Sequence, residues 1–403
     1  MFGWITNYLM HWMPEIIKYA LRNNVMTVKL MQTLAGIKNM PEEVNKLIKT
    51  NTDHVYYSDD EIDYKLLMKI TTKYKITLDS MDPINSGMIA VVFSGVKDKK
   101  ERVALKIKRN NIRQRIESGY QSFVKIYNFA YYLAYPFRTF DEMLQNIMSF
   151  VKSKDYILTQ CEFENEIKAM TVIRKTVEEY NKDIVIPRCY NVEADNEFIV
   201  MEFIDGTTLF EVEDKYKKEA CRLIFAFSFI SSYFCEMCHM DCHPGNMLII
   251  TKDDKMKLGI IDFGMNLVNT VALKDFSHGC LNYIIEYEND PTKKIDVLKH
   301  CVNVFIPMLS LDTLTSEQYD EMNQVVQTLL KTVINGEVTE RDFNYASTRI
   351  RKSLKSDTTI VSLEFIKYLM GLSMMQSSTR LLTKDDKEMS VEFKRALNEV
   401  MTY

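Results

Sequence analysis

Apolar positions change their spacing several times along this chain of 403 residues, and each change marks a change of element. Over residues 2–21, Ile5, Tyr8, Leu9, Trp12, Met13, Ile16, Ile17 and Ala20 recur at helical spacing, with Pro14 placed to restart the helix at a first turn. Pro41-Glu42-Glu43 opens a further helix. Between 75 and 108 the period falls to two. Val103, Leu105 and Ile107 alternate there with Ala104 and Lys106, and the stretch reads as three strands. Helical spacing returns over 112–158, through Phe123, Tyr127, Tyr131, Phe140, Met143, Ile147 and Phe150. Glu162 and Glu166, four apart, then share a predicted helix face. Residues 197–206 form an apolar strand closed by Asp205-Gly206, and a hydrophobic helix is predicted over 220–237. Two apolar runs, Leu248–Ile250 and Leu258–Ile261, flank the charged turn Lys252–Lys255 as a hairpin. Beyond Gly264 the signals are helical, with starts at Thr315-x-x-Gln318 and Thr383-x-x-Asp386 and a stop at Gly336.

The hairpin carries the chemistry. His239, Asp241, His243, Pro244 and Asn246 lie just before it, in a segment too polar and too broken for a helix interior. Asp262-Phe263-Gly264 lies just after it. The pattern brings Asp241, Asn246 and Asp262 to one end of the ribbon: two oxygen ligands for a hard cation and one further carboxylate, which is what phosphoryl transfer requires. The plain alternative is a polar loop that only closes a hairpin. Two others are chemical. Cys235-Glu236-Met237-Cys238-His239 matches a c-type haem attachment string, and Cys235, Cys238, Cys242 and His243 have the chemistry of zinc ligands. A metal bound there would draw Asp241 away from the cleft, so the phosphoryl-transfer reading is preferred.

Composition narrows the partners. Apolar residues make up 46% and charged residues 26%, the usage of a globular protein. A net charge of −4 and a pI near 6.0 leave no electrostatic footprint for nucleic acid. Eight unevenly spaced cysteines fit an intracellular, reducing compartment rather than a disulfide scaffold. The longest weakly polar stretch, Leu223–Cys235, is too short to span a bilayer and reads as a buried helix. The first thirty residues contain one arginine and no serine, so neither a signal peptide nor a presequence is expected. Both tryptophans fall in residues 2–21, a segment suited to a membrane surface or to docking on the protein; its shortage of cations favours docking.

His239-x-Asp241-x-His243-Pro244-x-Asn246, followed by Asp262-Phe263-Gly264, resembles the catalytic and metal loops of the protein-kinase fold. His243 stands where ordinary kinases carry lysine, and the whole block resembles the UbiB-type atypical kinases, the aarF-domain family tied to ubiquinone biosynthesis. The resemblance covers most of residues 25–270. It implies a bilobal α+β fold with three parts: an N-terminal helical extension over 1–74, an ATP-binding N-lobe with a helical insert over 75–206, and a mostly helical C-lobe over 207–403.

Carried onto this chain, the resemblance assigns Asn85, Gly87, Ala90 and Val92 to a phosphate loop that is glycine-poor, as in this family. Ala104 leaves room for a flat base, Lys106 reaches its phosphates, and Glu166 partners Lys106. Met201 guards the gate, with the backbone from Glu202 to Ile204 facing the adenine edge. Lys29-Leu30-Met31-Gln32 is similar to a Lys-x-Gly-Gln motif that folds over the nucleotide cleft, with Met31 in place of glycine. Gln160 replaces a family glutamate, and Glu162 replaces an aspartate. The cofactors implied are ATP and Mg2+. Asn246 and Asp262 would hold the metal, while Asp241 would orient or deprotonate the acceptor. The implied activity is that of an atypical kinase or ATPase linked to prenyl-quinone-like lipid metabolism. A serine/threonine protein kinase and a weakly active ATP-binding scaffold are the alternatives. No Ala-Pro-Glu motif follows the metal loop, and ordinary protein kinases use that region to hold peptides.

Overall fold

A computed structural model describes residues 55–134, 158–191, 196–289, 314–334, 349, 352 and 363–401. The helices expected over 2–21 and from Pro41, the Lys29/Gln32 pair, Gly336 and the second half of the 112–158 stretch lie outside the described residues. The chain forms two compact units. One comprises Met1–Thr171, Ile186–Asp205 and Ile261–Gly264; the other comprises Val172–Val185, Gly206–Ile260 and Met265–Tyr403.

In the first unit, α1 (Tyr64–Tyr74) starts where the Asp63 carboxylate accepts the Leu66 N–H at 2.9 Å. It ends at Lys75, whose left-handed backbone (φ 52°) turns the chain into β1 (Ile76–Leu78). The three strands expected over 75–108 are four, because the polar, Pro83-containing segment after β1 interrupts the pairing. β2 (Asn85–Ser86) and β1 both lie against β3 (Ala90–Lys97), which turns back through left-handed Asp98 and Lys99 into β4 (Glu101–Lys108). α2 (Ile112–Ala134) and α3 (Phe163–Tyr180) follow. The chain then runs through the short β5 (Ile184–Val185) of the second unit and returns as β6 (Phe198–Glu202), which pairs antiparallel with β4.

Alternation sorts this sheet into two faces. Val91, Phe93, Val103, Leu105, Ile107, Phe198 and Val200 form a core with Leu67 and Ile70 of α1. Val92, Ala104, Lys106 and Met201, one residue out of phase, therefore share the opposite face. A buried cation closes the edge of the unit. The Arg109 guanidinium, 2% exposed, donates to the Val55 and Tyr56 carbonyls, the Glu61 carboxylate and the Ser86 hydroxyl. Val55 and Ser86 also exchange backbone and side-chain hydrogen bonds, both at 2.7 Å.

The start of α3 corrects one expectation. Glu162 does not share a helix face with Glu166, because the helix begins one residue later. The Asn196 side-chain oxygen accepts the Phe163 N–H at 2.7 Å and fixes that start. Glu162, left outside, pairs with Arg113 and accepts from the Asn196 amide.

The second unit is built on the expected hairpin. β9 (Met247–Lys252) and β10 (Lys255–Ile260) pair with Met247 opposite Ile260. Asp253 and Asp254 both take left-handed backbone in the two-residue turn, the conformation that matches strand twist. β7 (Thr207–Thr208) pairs with β9, and β5 runs parallel to β10. The hydrophobic helix, α4, spans Asp214–Tyr233 rather than 220–237, because Met237–His239 leaves the helix to become β8 and pairs with β11 (Asn266–Val268). Its Leu223, Ile224, Ala226, Phe227 and Ile230 are buried, as expected for Leu223–Cys235.

The helices α5 (Val271–Asn289), α6 (Ser316–Ile334), α7 (Leu363–Leu382) and α8 (Asp386–Met401) complete the described residues of this unit. Thr315 and Gln318 cap α6 reciprocally, at 3.0 and 3.2 Å, as their spacing predicts. The cap of α8 is Asp385, which accepts the Glu388 N–H at 2.8 Å; Thr383 instead donates back to Thr379 in α7. Among the described residues no helix is long and apolar enough to cross a membrane.

Candidate active site

Lys106 lies on the second face of the first unit's sheet, opposite Val92 on one side and Ile199 on the other. Its ammonium donates to Glu166 Oε1 at 2.7 Å and to Asp262 Oδ2 at 3.0 Å. Glu166 is supplied by α3 and Asp262 by the segment that follows β10. The Phe163 ring lies 5.6 Å from the same ammonium and 5.3 Å from that of Lys108, so cation–π attraction adds to the charge pairing. The Lys106 and Glu166 side chains are 10% and 3% exposed, whereas Asp262 is 35% exposed, so Asp262 is the member of the triad that water reaches.

The Asp-Phe-Gly turn is built around these carboxylates. Phe263 N–H donates to Glu166 Oε1 at 3.4 Å, and Gly264 N–H donates to Asp262 Oδ1 at 2.9 Å. A Cβ on Gly264 would stand 3.2 Å from that same Oδ1, so glycine gives the turn its room. Glu166 Oε2 is buried without a hydrogen-bond partner. Burial alone would lower the Lys106 pKa, but Asp262 and Glu166 outweigh it and hold the amine above its ordinary value. Burial pushes the Glu166 carboxyl up to about 7, against the opposing pull of Lys106. Two carboxylates thus share one ammonium, Glu166 on its buried side and Asp262 on the side that water reaches.

The same unit holds the other expected N-lobe residues. Ala104 pairs with Met201 across β4 and β6, and both are buried. Gly87 N–H closes the turn between β2 and β3 on the Ala90 carbonyl at 2.9 Å. The N–H groups of Glu202 and Phe203 are engaged by the carbonyls of Arg188 and Arg102, at 2.9 and 3.1 Å, just before buried Ile204. Gln160 is buried, with its Nε2 unpartnered.

In the second unit the backbone of the Asp241 loop is tied at several points. Met240 N–H donates to the Met265 carbonyl at 2.9 Å, and Asp241 N–H donates to His239 Nδ1 at 3.2 Å. The Asn246 amide donates to the Asp241 carbonyl at 3.2 Å, and His243 Nδ1 accepts the Gly245 N–H at 3.2 Å. His239 is itself buried: Ser231 Oγ accepts its N–H at 2.8 Å, and Phe227 meets its ring edge to face at 5.4 Å. Three supporting residues, Phe163, Asn196 and Ser231, escape sequence reasoning. Only Ser231 leaves a signal, as one of three serines in the apolar second half of α4.

The haem and zinc readings find no support in the site's geometry. Burial pushes the Cys235, Cys238 and Cys242 thiols up to about 12. Among the described residues no three or more His, Cys, Asp or Glu side chains converge as a metal cage.

Several known proteins are similar to this chain. An uncharacterized protein of Synechocystis sp. is 28% identical over 202 residues, 46% of this chain and 47% of that protein. An uncharacterized aarF domain-containing protein kinase of Arabidopsis thaliana, described as chloroplastic, is 34% identical over 104 residues, 26% of this chain and 14% of its own length. The matches therefore span about half of the first relative and a small part of the second. Among solved structures, the Rv3197–erythromycin complex from Mycobacterium tuberculosis aligns over 99% of both chains, with 12% identity and a TM-score of 0.45. The Rio2 kinase–ADP/Mg2+–phosphoaspartate complex from Chaetomium thermophilum aligns over 85% of this chain and 98% of its own, with 12% identity and a TM-score of 0.34. The model of the ABC1 atypical kinase-like domain matches residues 56–295, more than half of the sequence. That stretch contains the Lys106 triad and the Asp241 loop alike, and the chain belongs to the ABC1 atypical kinase-like family, the aarF/UbiB group.

Proposed function

We propose that this protein binds Mg-ATP and transfers or hydrolyses its terminal phosphate, in a role linked to prenyl-quinone-like lipid metabolism. The observation that carries the reading is the Lys106 ammonium held between Glu166 and Asp262. A kinase-type site needs a lysine aimed at phosphates, a glutamate to aim it and an aspartate for the metal.

The residues present fit the group. Mg2+ is commonly held by one or two side-chain oxygens, with phosphates and water completing its shell, so no cage of three acidic groups is required. Asp262 and Asn246 would hold it, and its charge would neutralise that of the phosphates as they react. Gly87 supports the phosphate-loop assignment: a Cβ there would meet only the Ala90 carbonyl, at an ordinary 3.6 Å. The protein's own packing does not demand glycine at that position, whereas a phosphate brought close to the backbone would. Ala104 and Met201 would frame the base, with the Glu202–Ile204 backbone at its edge. Asp241 would accept the acceptor's proton as that oxygen bonds the γ-phosphorus and the bridging P–O bond breaks, releasing ADP. Lys29 and Gln32 are assigned to the cleft by motif alone.

The test is Mg-dependent ATP hydrolysis by the purified chain, with and without lipid vesicles, beside Asp241→Asn. Turnover that vanishes in the variant supports the reading. Equal hydrolysis by both proteins would leave a nucleotide-binding scaffold.

A further inference from the structure

Both neighbours of Asp241 are held by one helix. Met240, on its N-terminal side, lies against Gly371 of α7: a Cβ added to Gly371 would come within 2.7 Å of Met240 Sδ and 3.2 Å of Met240 Cα. Cys242, on its C-terminal side, accepts a hydrogen bond at 2.5 Å through its carbonyl from the Ser378 hydroxyl, and Ser378 is fully buried. Gly371 and Ser378 are seven positions apart, two helical turns, and so lie on one stripe of α7. Tyr368, one turn before Gly371, continues the stripe, with its hydroxyl 3.1 Å from that of Ser277 in α5. α7 lies beyond residue 295, where the family match ends.

From this we infer that Gly371 and Ser378 are positioning residues for Asp241. They fix the backbone on either side of the proposed base and touch neither nucleotide nor acceptor. A loop of this polarity, broken by Pro244 and Gly245, has little regular structure of its own to set where its carboxylate points. The bare Cα of Gly371 sets how closely the loop approaches the helix. The Ser378 hydroxyl sets its rotation, by claiming a carbonyl that would otherwise be buried without a donor. The inference rests on the proposed role of Asp241.

The experiment compares the full chain with Ser378→Ala, Gly371→Ala and Asp241→Asn. It measures the Kd for Mg-ATP, kcat and KM for ATP hydrolysis, and thermal melting. Ser378→Ala and Gly371→Ala should each lower kcat by about tenfold or more, since small misplacements of a reacting group are costly. Kd and KM should stay within about twofold, because the nucleotide-holding residues are untouched. Thermal melting and the Kd for Mg-ATP guard against simple unfolding, since a methyl on Gly371 crowds Met240 while Ser378→Ala adds no atoms. If both variants keep wild-type kcat, or lose nucleotide binding in step with turnover, the positioning role is wrong. An Asp241→Asn protein with wild-type turnover would refute the role of Asp241 itself and this inference with it. Loss of activity in Asp241→Asn alone would overturn only the part given to α7.

Discussion

Lys106 and Glu166, sixty positions apart, form a buried ion pair of 2.7 Å, and Asp262 holds the same ammonium at 3.0 Å. The arrangement is unequal. The lysine has two anionic partners, while each carboxylate depends on the one lysine for its countercharge within the triad. Removing the lysine leaves two carboxylates together, one of them buried.

The stability cost should follow that inequality. Lys106→Met should lower the unfolding free energy by about 3 kcal/mol, the lower end for a broken buried pair. Glu166→Gln should cost only about 1–2 kcal/mol, because Asp262 retains the ammonium and the amide keeps the shape. Urea denaturation at pH 8 gives both values. A larger loss for Glu166→Gln than for Lys106→Met would contradict this account.

The pH dependence follows from Glu166, whose carboxyl stands near 7 in the folded protein against 4.5 ordinarily. Below about 4.5 both folded and unfolded chains hold this proton. Between about 4.5 and 7 the unfolded chain has released it and the folded chain keeps it, so this group's contribution to stability falls as pH rises. Above 7 the contribution is level. The stability of wild type minus that of Glu166→Gln should therefore decline across that window and flatten beyond it. A difference that climbs through the window would show that Glu166 is ionised throughout.

Binding and chemistry should separate in the Asp241→Asn protein. Mg-ATP at about 100 times its Kd should stabilise wild type by roughly 2.7 kcal/mol. The variant should show a similar melting shift without turnover, since Asp241 is given a role with the acceptor. Lys106→Met should lose most of the shift. Were Lys106→Met to keep it in full, the nucleotide would have to sit elsewhere.

The thiols offer a check on the competing metal chemistry. With Cys235, Cys238 and Cys242 buried and pushed up to about 12, iodoacetamide at neutral pH should leave them unmodified until the protein is denatured. Mass spectrometry of the peptides decides it. Rapid labelling of the native protein at any of the three would show an accessible thiolate and reopen the ligand reading.

How far the site is legible in the chain depends on whether each residue's partner is close in sequence. Lys106 and Ala104 declare their shared face through a period of two, and Asn246 and Asp262 flank a hairpin whose register follows from its own turn. The link between Lys106 and Glu166 comes from family resemblance, since no local pattern joins residues so far apart. The spacing of Glu162 and Glu166 misplaces the start of α3 because its cap, Asn196, arrives from 33 positions downstream. The apolar run over 220–237 draws α4 too late and past its end, since the pairing of Met237–His239 with β11 is a tertiary contact that hydrophobicity does not reveal. The grip of α7 on the Asp241 loop is hidden for the same reason: glycine and serine in a helix are ordinary until their neighbours are known.

Arg109 has a practical consequence for anyone trimming the gene. The family match begins at residue 56, so a chain cut at that boundary would look complete. It would lack Val55, whose carbonyl receives the Arg109 guanidinium and the Ser86 hydroxyl and whose N–H meets the Ser86 carbonyl. The cut would strip an edge from the strand next to Gly87 and put a new charged amine beside a sequestered cation. Expression boundaries are better placed upstream of Val55, so that its carbonyl and N–H are kept.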